Sequence, residues 1–394
     1  MKIVVVCPTV LEHDAVGNAT MALMKDLHAV PDAQVTLIAR HSDRNDIGVT
    51  AVKSLGDMLL NDRFREADVI VYVFAIYNEL FDAILIGNGQ AAQIVRFHNV
   101  TPKALVNDRD RPIVEMSLGQ IQNFVSADEL WADSQENLEE LIRHGIPSEK
   151  VRVMPLPVSP LAVATTTDKP SRGPLRIVYV GRFVPSKGLE DLIAALAILR
   201  RTHGVAFLAR LIGSTRHSPP AYLRRLRRLI ETEGLSDLVR IDGAVEAATL
   251  GEAYREAHII ATASRHEGFC VPVIEGMAAG CVPVTYANSN LRHISGGLGR
   301  LARTDSPVDL AESLADVGRA LLNGKKSGAM RVLRVDAGPM AITDFDVARL
   351  EHVAQFSPET CAARLRSQLA QRLQGVSLRR GESPPENPMI KAAS

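Results

Sequence analysis

Runs of β-branched and aliphatic residues alternate along this chain with stretches whose apolar positions recur every three to four residues. Strands are expected at 2–7, 34–39, 68–73, 94–97, 129–132 and 151–154, and helices at 19–27, 78–86, 114–125 and 135–144. After residue 174 the alternation resumes. A strand ends at Gly181, and a helix over 189–201 puts Leu189, Leu192, Ile193, Leu196 and Leu199 on one face. A strand over 257–263 leads to a short helix around Glu275, where Ala278 and Ala279 permit close packing and Gly280 suits the C-terminal stop. Another buried strand follows at 282–285. Such alternation builds parallel sheets covered by helices, so the fold class is α/β. Between the two series, residues 155–171 are rich in proline and threonine and suit a linker. A last helix is expected at 358–373, followed by a polar, proline-bearing stretch that reads as a disordered tail.

Length supports this division, because 394 residues exceed the usual size of a single core. The formal charge is zero, which gives no support to a nucleic-acid role. The charge is unevenly spread: 14 Lys/Arg against 22 Asp/Glu over residues 1–157 leave −8, and the remainder carries +8. Arg224, Arg225, Arg227 and Arg228 lie in a basic helix that is expected to be a solvated face. The four cysteines form no CxxC pair, and with no secretory signal they read as reduced thiols of a cytoplasmic protein, the inner face of the membrane included. The longest apolar run, 69–76, is far short of about 20 residues, so no span is expected.

Two motifs carry chemistry. Glu267 and Glu275 lie eight positions apart in His266-Glu267-Gly268-Phe269-Cys270-Val271-Pro272-Val273-Ile274-Glu275, Glu267 at the loop and Glu275 about one turn into the helix. Upstream, Gly181-Arg182-Phe183-Val184-Pro185-Ser186-Lys187-Gly188 joins a strand to a helix. Ligands of open α/β sheets bind at this carboxyl edge, where helix N-termini point outward. Two carboxylates with bare amides between them suit a ligand of many hydroxyls beside an anionic group. Arg182 and Lys187, with helix amides, can neutralise a diphosphate without a metal.

On these residues the chain resembles the GT-B glycosyltransferases of family 4, retaining enzymes that use nucleotide-sugar donors, over roughly residues 1–375. A looser match covers Phe97-His98-Asn99-Val100-Thr101-Pro102 and Ala132-Asp133-Ser134 with Asn137. The resemblance implies two Rossmann-like parallel-sheet domains facing a cleft: 1–157 on the acceptor side, a linker at 158–173, and a nucleotide-sugar domain at 174–356. A helix at 357–375 would cross back to the first domain, with a tail at 376–394. It implies that Glu275 holds the ribose hydroxyls and that Glu267 faces the transferred sugar. Gly181, Arg182 and Lys187 would hold the diphosphate, and the amides of Gly268, Phe269, Cys270 and Val271 would line sugar and phosphate. His98 would approach the sugar from the other domain, as a catalytic partner of Glu267. Gly17, Asn18 and Asn99 stand as candidate sugar or acceptor contacts. No cofactor or metal is expected; the partners are a nucleotide-sugar donor and a glycan, lipid-linked or small-molecule acceptor, and a peripheral membrane contact, with the basic helix as its docking face, stays open as the alternative to a solvated face.

The chain departs from the family in three places. The loop expected at 15–19 has one glycine where many members have a pair, 298–356 is long for the family, and His293 stands where relatives often carry an acid. The implied reaction moves a hexose-type sugar with retained configuration. No pair of carboxylates suits a double displacement, which leaves a front-face route in which the leaving diphosphate takes the acceptor's proton. The alternatives are a non-catalytic sugar-nucleotide-binding scaffold and a nucleotide-sugar 2-epimerase, for which acid and base groups at C2 cannot be assembled. A dehydrogenase would need Gly-x-Gly-x-x-Gly after the first strand, where the chain has Cys7-Pro8-Thr9-Val10.

Overall fold

The computed structural model describes residues 1–12, 14–44, 48–215, 218–322 and 332–380, with backbone only over 373–380. It divides into two compact units. The first comprises 1–103, 107–157 and the described part of 358–394; the second comprises 104–106 and 158–357.

In the first unit the strands are β1 (Lys2–Val6), β2 (Thr9–Val10), β3 (Gln34–Ala39), β4 (His41–Ser42), β5 (Val49–Ala51), β6 (Val69–Phe74), β7 (Ala92–Phe97), β8 (Glu129–Ala132) and β9 (Val151–Val153). Helices α1 (Ala15–His28), α2 (Leu55–Leu60), α3 (Asp62–Arg65), α4 (Arg111–Gln120) and α5 (Gln135–Arg143) join them. Seven strands form one parallel sheet in the order β5-β3-β1-β6-β7-β8-β9, with β2 paired to β4 at its rim. β6 and β8 are buried at every position, as a parallel strand covered on both faces requires.

The second unit contains β10 (Leu175–Val180), β11 (Phe207–Ile212), β12 (Val239–Gly243), β13 (Ile259–Thr262), β14 (Val282–Tyr286) and β15 (Arg300–Ala302), all parallel, in the order β12-β11-β10-β13-β14-β15. Its helices are α6 (Leu189–Arg201), α7 (Pro220–Thr232), α8 (Ala247–Glu256), α9 (Val271–Ala278), α10 (Pro307–Leu322) and α11 (Ile342–Ala354). An antiparallel hairpin, β16 (Val332–Val335) and β17 (Gly338–Ala341), precedes α11. In each large sheet the strand order reverses beside the first strand, between β1 and β6 and between β10 and β13. Crevices open at such points.

Helix α12 (Pro358–Arg380) closes the described chain as part of the first unit. Leu365 and Leu369 enter that unit's core beside Leu23 and Trp131. Arg372 pairs with the buried carboxylate of Glu129, which also accepts from the Trp131 indole.

Several elements differ from expectation. The segment 78–86 is a 3-10 helix, Glu79–Leu85, and 114–125 divides into α4 and a 3-10 turn, Ile121–Ser126. Helix α1 starts at Ala15 rather than 19, because the Asp14 carboxylate caps it by accepting from the amides of Val16 and Gly17. The stretch 15–19 is therefore the first turn of a helix and not a loop.

Residues 158–173 are not a free linker but belong to the second unit. The Thr166 hydroxyl donates to the Gly280 carbonyl, while the Thr166 and Thr167 amides donate to Asp346. Lys169 donates to the carbonyls of Tyr254 and Arg255 at the end of α8. The polar residues that suggested a linker cap helix ends. Within 298–356, the stretch that is long for the resembled family, residues 325–336 match no feature of that family; β16 occupies 332–335, and 323–331 lie outside the described residues. The expected tail is helical to Arg380 and lies outside the described residues from 381 onward.

Candidate active site

In the second unit, adjacency of β10 and β13 brings together two loops some 80 residues apart in sequence. The loop after β10 is shaped by close backbone contacts. Gly188 has φ +63°, and a Cβ there would lie 2.0 Å from the carbonyl oxygen of Ala263, at the end of β13. Gly181 lies under Gly213, where a Cβ would fall 1.9 Å from the Gly181 carbonyl oxygen. The Tyr179 hydroxyl donates to the Arg182 carbonyl (3.0 Å). Arg265 ties the loops together: its amide donates to the Ser186 carbonyl (2.9 Å), and its guanidinium pairs with Asp191 and Asp305, each at 2.7 Å.

Lys187 Nζ and Glu267 Oε1 form an ion pair at 2.7 Å, with the two side chains only 15% and 14% exposed. The Glu267 amide donates to Ser289 Oγ (2.9 Å), and Asn290 donates from its side chain to the Phe269 carbonyl (2.8 Å). The Phe269 ring packs edge-on against Phe356 in the unit's interior, which leaves its backbone at the site. Cys270 caps α9 with φ +78°, a strained value for a non-glycine residue, and no side chain caps this N-terminus. Of the first-turn amides, that of Val273 donates to the Cys270 carbonyl at 3.1 Å and Pro272 has no N–H, which leaves the Val271 amide without a partner in the helix. Burial, then the Glu267 charge, pushes the Cys270 thiol well above its ordinary range, so it remains protonated.

Glu275, on the second turn of α9, accepts from the Tyr254 hydroxyl at 2.8 Å. Burial raises its pKa, an effect that the Tyr254 hydrogen bond opposes. At its far end α9 stops in a Schellman turn, with Gly280 at φ +79° and the Cys281 amide bonded to the Gly276 carbonyl. The fully buried Arg349 guanidinium donates to the Met277 and Ala278 carbonyls there. A cation at the C-terminus stabilises the helix dipole whose positive end faces the site.

Gly181, Lys187, Glu267, Gly268, Phe269, Cys270, Val271 and Glu275 thus share one sheet edge. Arg182 lies on the same loop with its side chain exposed, and among the described residues no carboxylate pairs with it. Sequence reasoning missed Tyr254, Arg265, Ser289 and Asn290. Arg265, two residues before Glu267, was the only one of these close to a motif.

The first unit holds the other candidates. His98 follows β7, and its Nδ1 lies 2.5 Å from Asp133 Oδ2, while Arg96 reaches Asp133 Oδ1 at 2.6 Å. Asn99 has φ +105°. Gly17 is not at an open surface: a Cβ there would meet the Leu11 carbonyl oxygen at 2.3 Å, and its amide is taken by Asp14. That glycine serves helix packing, whereas Asn18 is exposed.

Residues 167–325 match the family model described as "Glycosyl transferases group 1". The matched residues lie within the second unit and include both of its motifs. The MMP alpha-(1->4)-mannosyltransferase of Mycolicibacterium hassiacum is 31% identical over 169 residues, 42% of this chain and 39% of that protein. The D-inositol 3-phosphate glycosyltransferase of Xylanimonas cellulosilytica is 29% identical over 192 residues, 45% of each. The chain spans less than half the length of these curated relatives. Among solved structures, the lipopolysaccharide outer core galactosyltransferase WaaB is similar at a TM-score of 0.70 and 16% identity, over 95% of this chain and 100% of that one. Anabaena Alr3699/HepE, solved in complex with UDP and glucose, is similar at 0.67 and 16%, over 94% and 100%. The fold is thus GT-B, with two Rossmann-like units. No helix among the described residues is long and apolar enough to cross a membrane.

Proposed function

We propose that the protein is a retaining glycosyltransferase of family 4 that moves a hexose-type sugar from a nucleoside-diphosphate sugar to a hydroxyl of a glycan, glycolipid or small molecule. The observation that carries this reading is the Lys187–Glu267 pair beside the uncapped N-terminus of α9, with Glu275 one turn further along. Lys187, Arg182 and the positive end of α9 with its Val271 amide provide positive charge for a diphosphate, and Glu275 provides an acceptor for ribose hydroxyls. The relatives' names, a mannosyltransferase and an inositol phosphate glycosyltransferase, support sugar transfer, and the UDP complex of HepE supports a nucleotide donor.

In the reaction, the bond from the sugar's anomeric carbon to the diphosphate breaks, and a bond to the acceptor oxygen forms on the same face. The acceptor's proton passes to the departing diphosphate. Preset donors around the phosphate offset the charge that develops there. With two cations and helix amides in place, no metal is required. The reaction is assigned to the cytoplasm, where nucleotide sugars are the donors, or to the inner face of the membrane when the acceptor is lipid-linked.

A thermal-shift screen of nucleoside diphosphates and nucleotide sugars tests the reading. A ligand at a hundred times its Kd stabilises by about 2.7 kcal/mol. One nucleotide should raise the melting temperature of the wild type and not of Lys187→Ala, and that variant should lose turnover while remaining folded. Near-normal turnover of Lys187→Ala at saturating donor would remove the phosphate assignment.

A further inference from the structure

We propose that Asp133 and Arg96 are positioning residues that lock His98 as a single tautomer, with the proton on Nδ1 and Nε2 left as a hydrogen-bond acceptor. The sheet register sets up the contact. β7 and β8 pair with Phe97 opposite Ala132, so the next residues along, His98 and Asp133, come side by side at the carboxyl edge. Arg96 is two positions before His98 and therefore projects to the same face of the sheet. The carboxylate is 2% exposed and bridges the two, Oδ1 to the guanidinium at 2.6 Å and Oδ2 to Nδ1 at 2.5 Å.

A carboxylate held by a permanently charged arginine has only acceptor positions to offer. The imidazole nitrogen against it must therefore carry a hydrogen. This leaves the neutral ring with its lone pair on Nε2, the form that accepts a hydrogen bond from a hydroxyl. The same arrangement keeps the ring from rotating, because a flip would break the contact. Arg96 contributes a second constraint. If residue 133 were an amide, the guanidinium would claim its oxygen and turn the NH2 group toward His98. The ring would then have to accept at Nδ1 and carry its proton on Nε2.

The lock itself follows from geometry; only the meeting of Nε2 with a sugar or acceptor hydroxyl rests on the transferase reading. The test is nitrogen NMR of protein labelled at histidine, with His98 assigned by the signals lost in His98→Asn. At a pH where the nitrogen shifts report the neutral ring, the wild type should show a bare Nε2 and a protonated Nδ1. Asp133→Asn should reverse the two, reduce turnover about a hundredfold, and leave nucleoside-diphosphate affinity within about twofold. A protonated Nε2 in the neutral wild-type ring, or an unchanged tautomer in Asp133→Asn, would overturn the proposal. The wild-type measurement decides it even if the variant fails to fold. Failure of the transferase reading is a different result: the expected tautomer in a wild-type protein that turns over no nucleotide sugar.

Discussion

Removing one oxygen atom, in Tyr254→Phe, tests how the second glutamate is held. The Tyr254 hydroxyl donates to Glu275 Oε2 at 2.8 Å, and both groups are largely shielded from water. A hydrogen bond to a charged group contributes about 1.5–3 kcal/mol, and its loss leaves the carboxylate under-solvated. In a unit of some 200 residues, about 2–4 °C of melting temperature corresponds to each kcal/mol, so a fall of about 3–12 °C is expected where Glu275 is ionised. The sign of the pH dependence distinguishes this cause from lost packing. Burial already places the folded pKa of Glu275 above its unfolded value, so the native state binds the extra proton between the two, and stability falls as pH rises through that window. Without the tyrosine the folded pKa rises further and the window widens. The difference between wild type and Tyr254→Phe should therefore be large at pH 8 and shrink as pH falls through that window, below which the carboxyl is protonated in both. Nucleoside-diphosphate affinity, measured by calorimetry at pH 8, should fall about tenfold, because the group assigned to the ribose is no longer fixed. A melting difference that stays the same from pH 8 down through the window in which the buried carboxyl takes up its proton would refute the reasoning.

Other outcomes follow from the same site. Glu275→Gln should weaken nucleoside diphosphate and full donor alike, yet melt no lower than wild type at pH 8, since it removes a buried charge. Glu267→Gln should lower turnover about a hundredfold without weakening nucleotide binding, because it also releases Lys187 for the phosphate; loss of nucleotide affinity in this variant with retention in Glu275→Gln would reverse the two roles. Gly188→Ala should cost several kcal/mol, from a left-handed φ and a Cβ 2.0 Å from the Ala263 carbonyl oxygen; a loss under about 1 kcal/mol by denaturant titration would show that the loop is not so constrained. Turnover should survive EDTA, and a strict requirement for manganese or magnesium would mean that the diphosphate is neutralised in another way.

The alternation of β-branched runs with helical periods was enough to establish an α/β chain with two series of strands, because those periods are local and a parallel strand buried on both faces must be apolar throughout. The positions of the two motifs at strand-to-helix junctions were equally local, since Gly188 and Gly280 follow from backbone preferences, whereas the left-handed Cys270 at the α9 start does not. What sequence could not supply was the pairing across the sheet. That Lys187 meets Glu267, that Tyr254 holds Glu275, and that Asp133 locks His98 depends on which strands lie side by side, and strand order reverses at points that no local pattern marks. Capping misled in the same way. Asp14 draws α1 forward over a segment read as a loop, and Thr166 and Lys169 turn an apparent linker into part of a unit, because their polar groups satisfy helix ends that only the tertiary structure brings within reach.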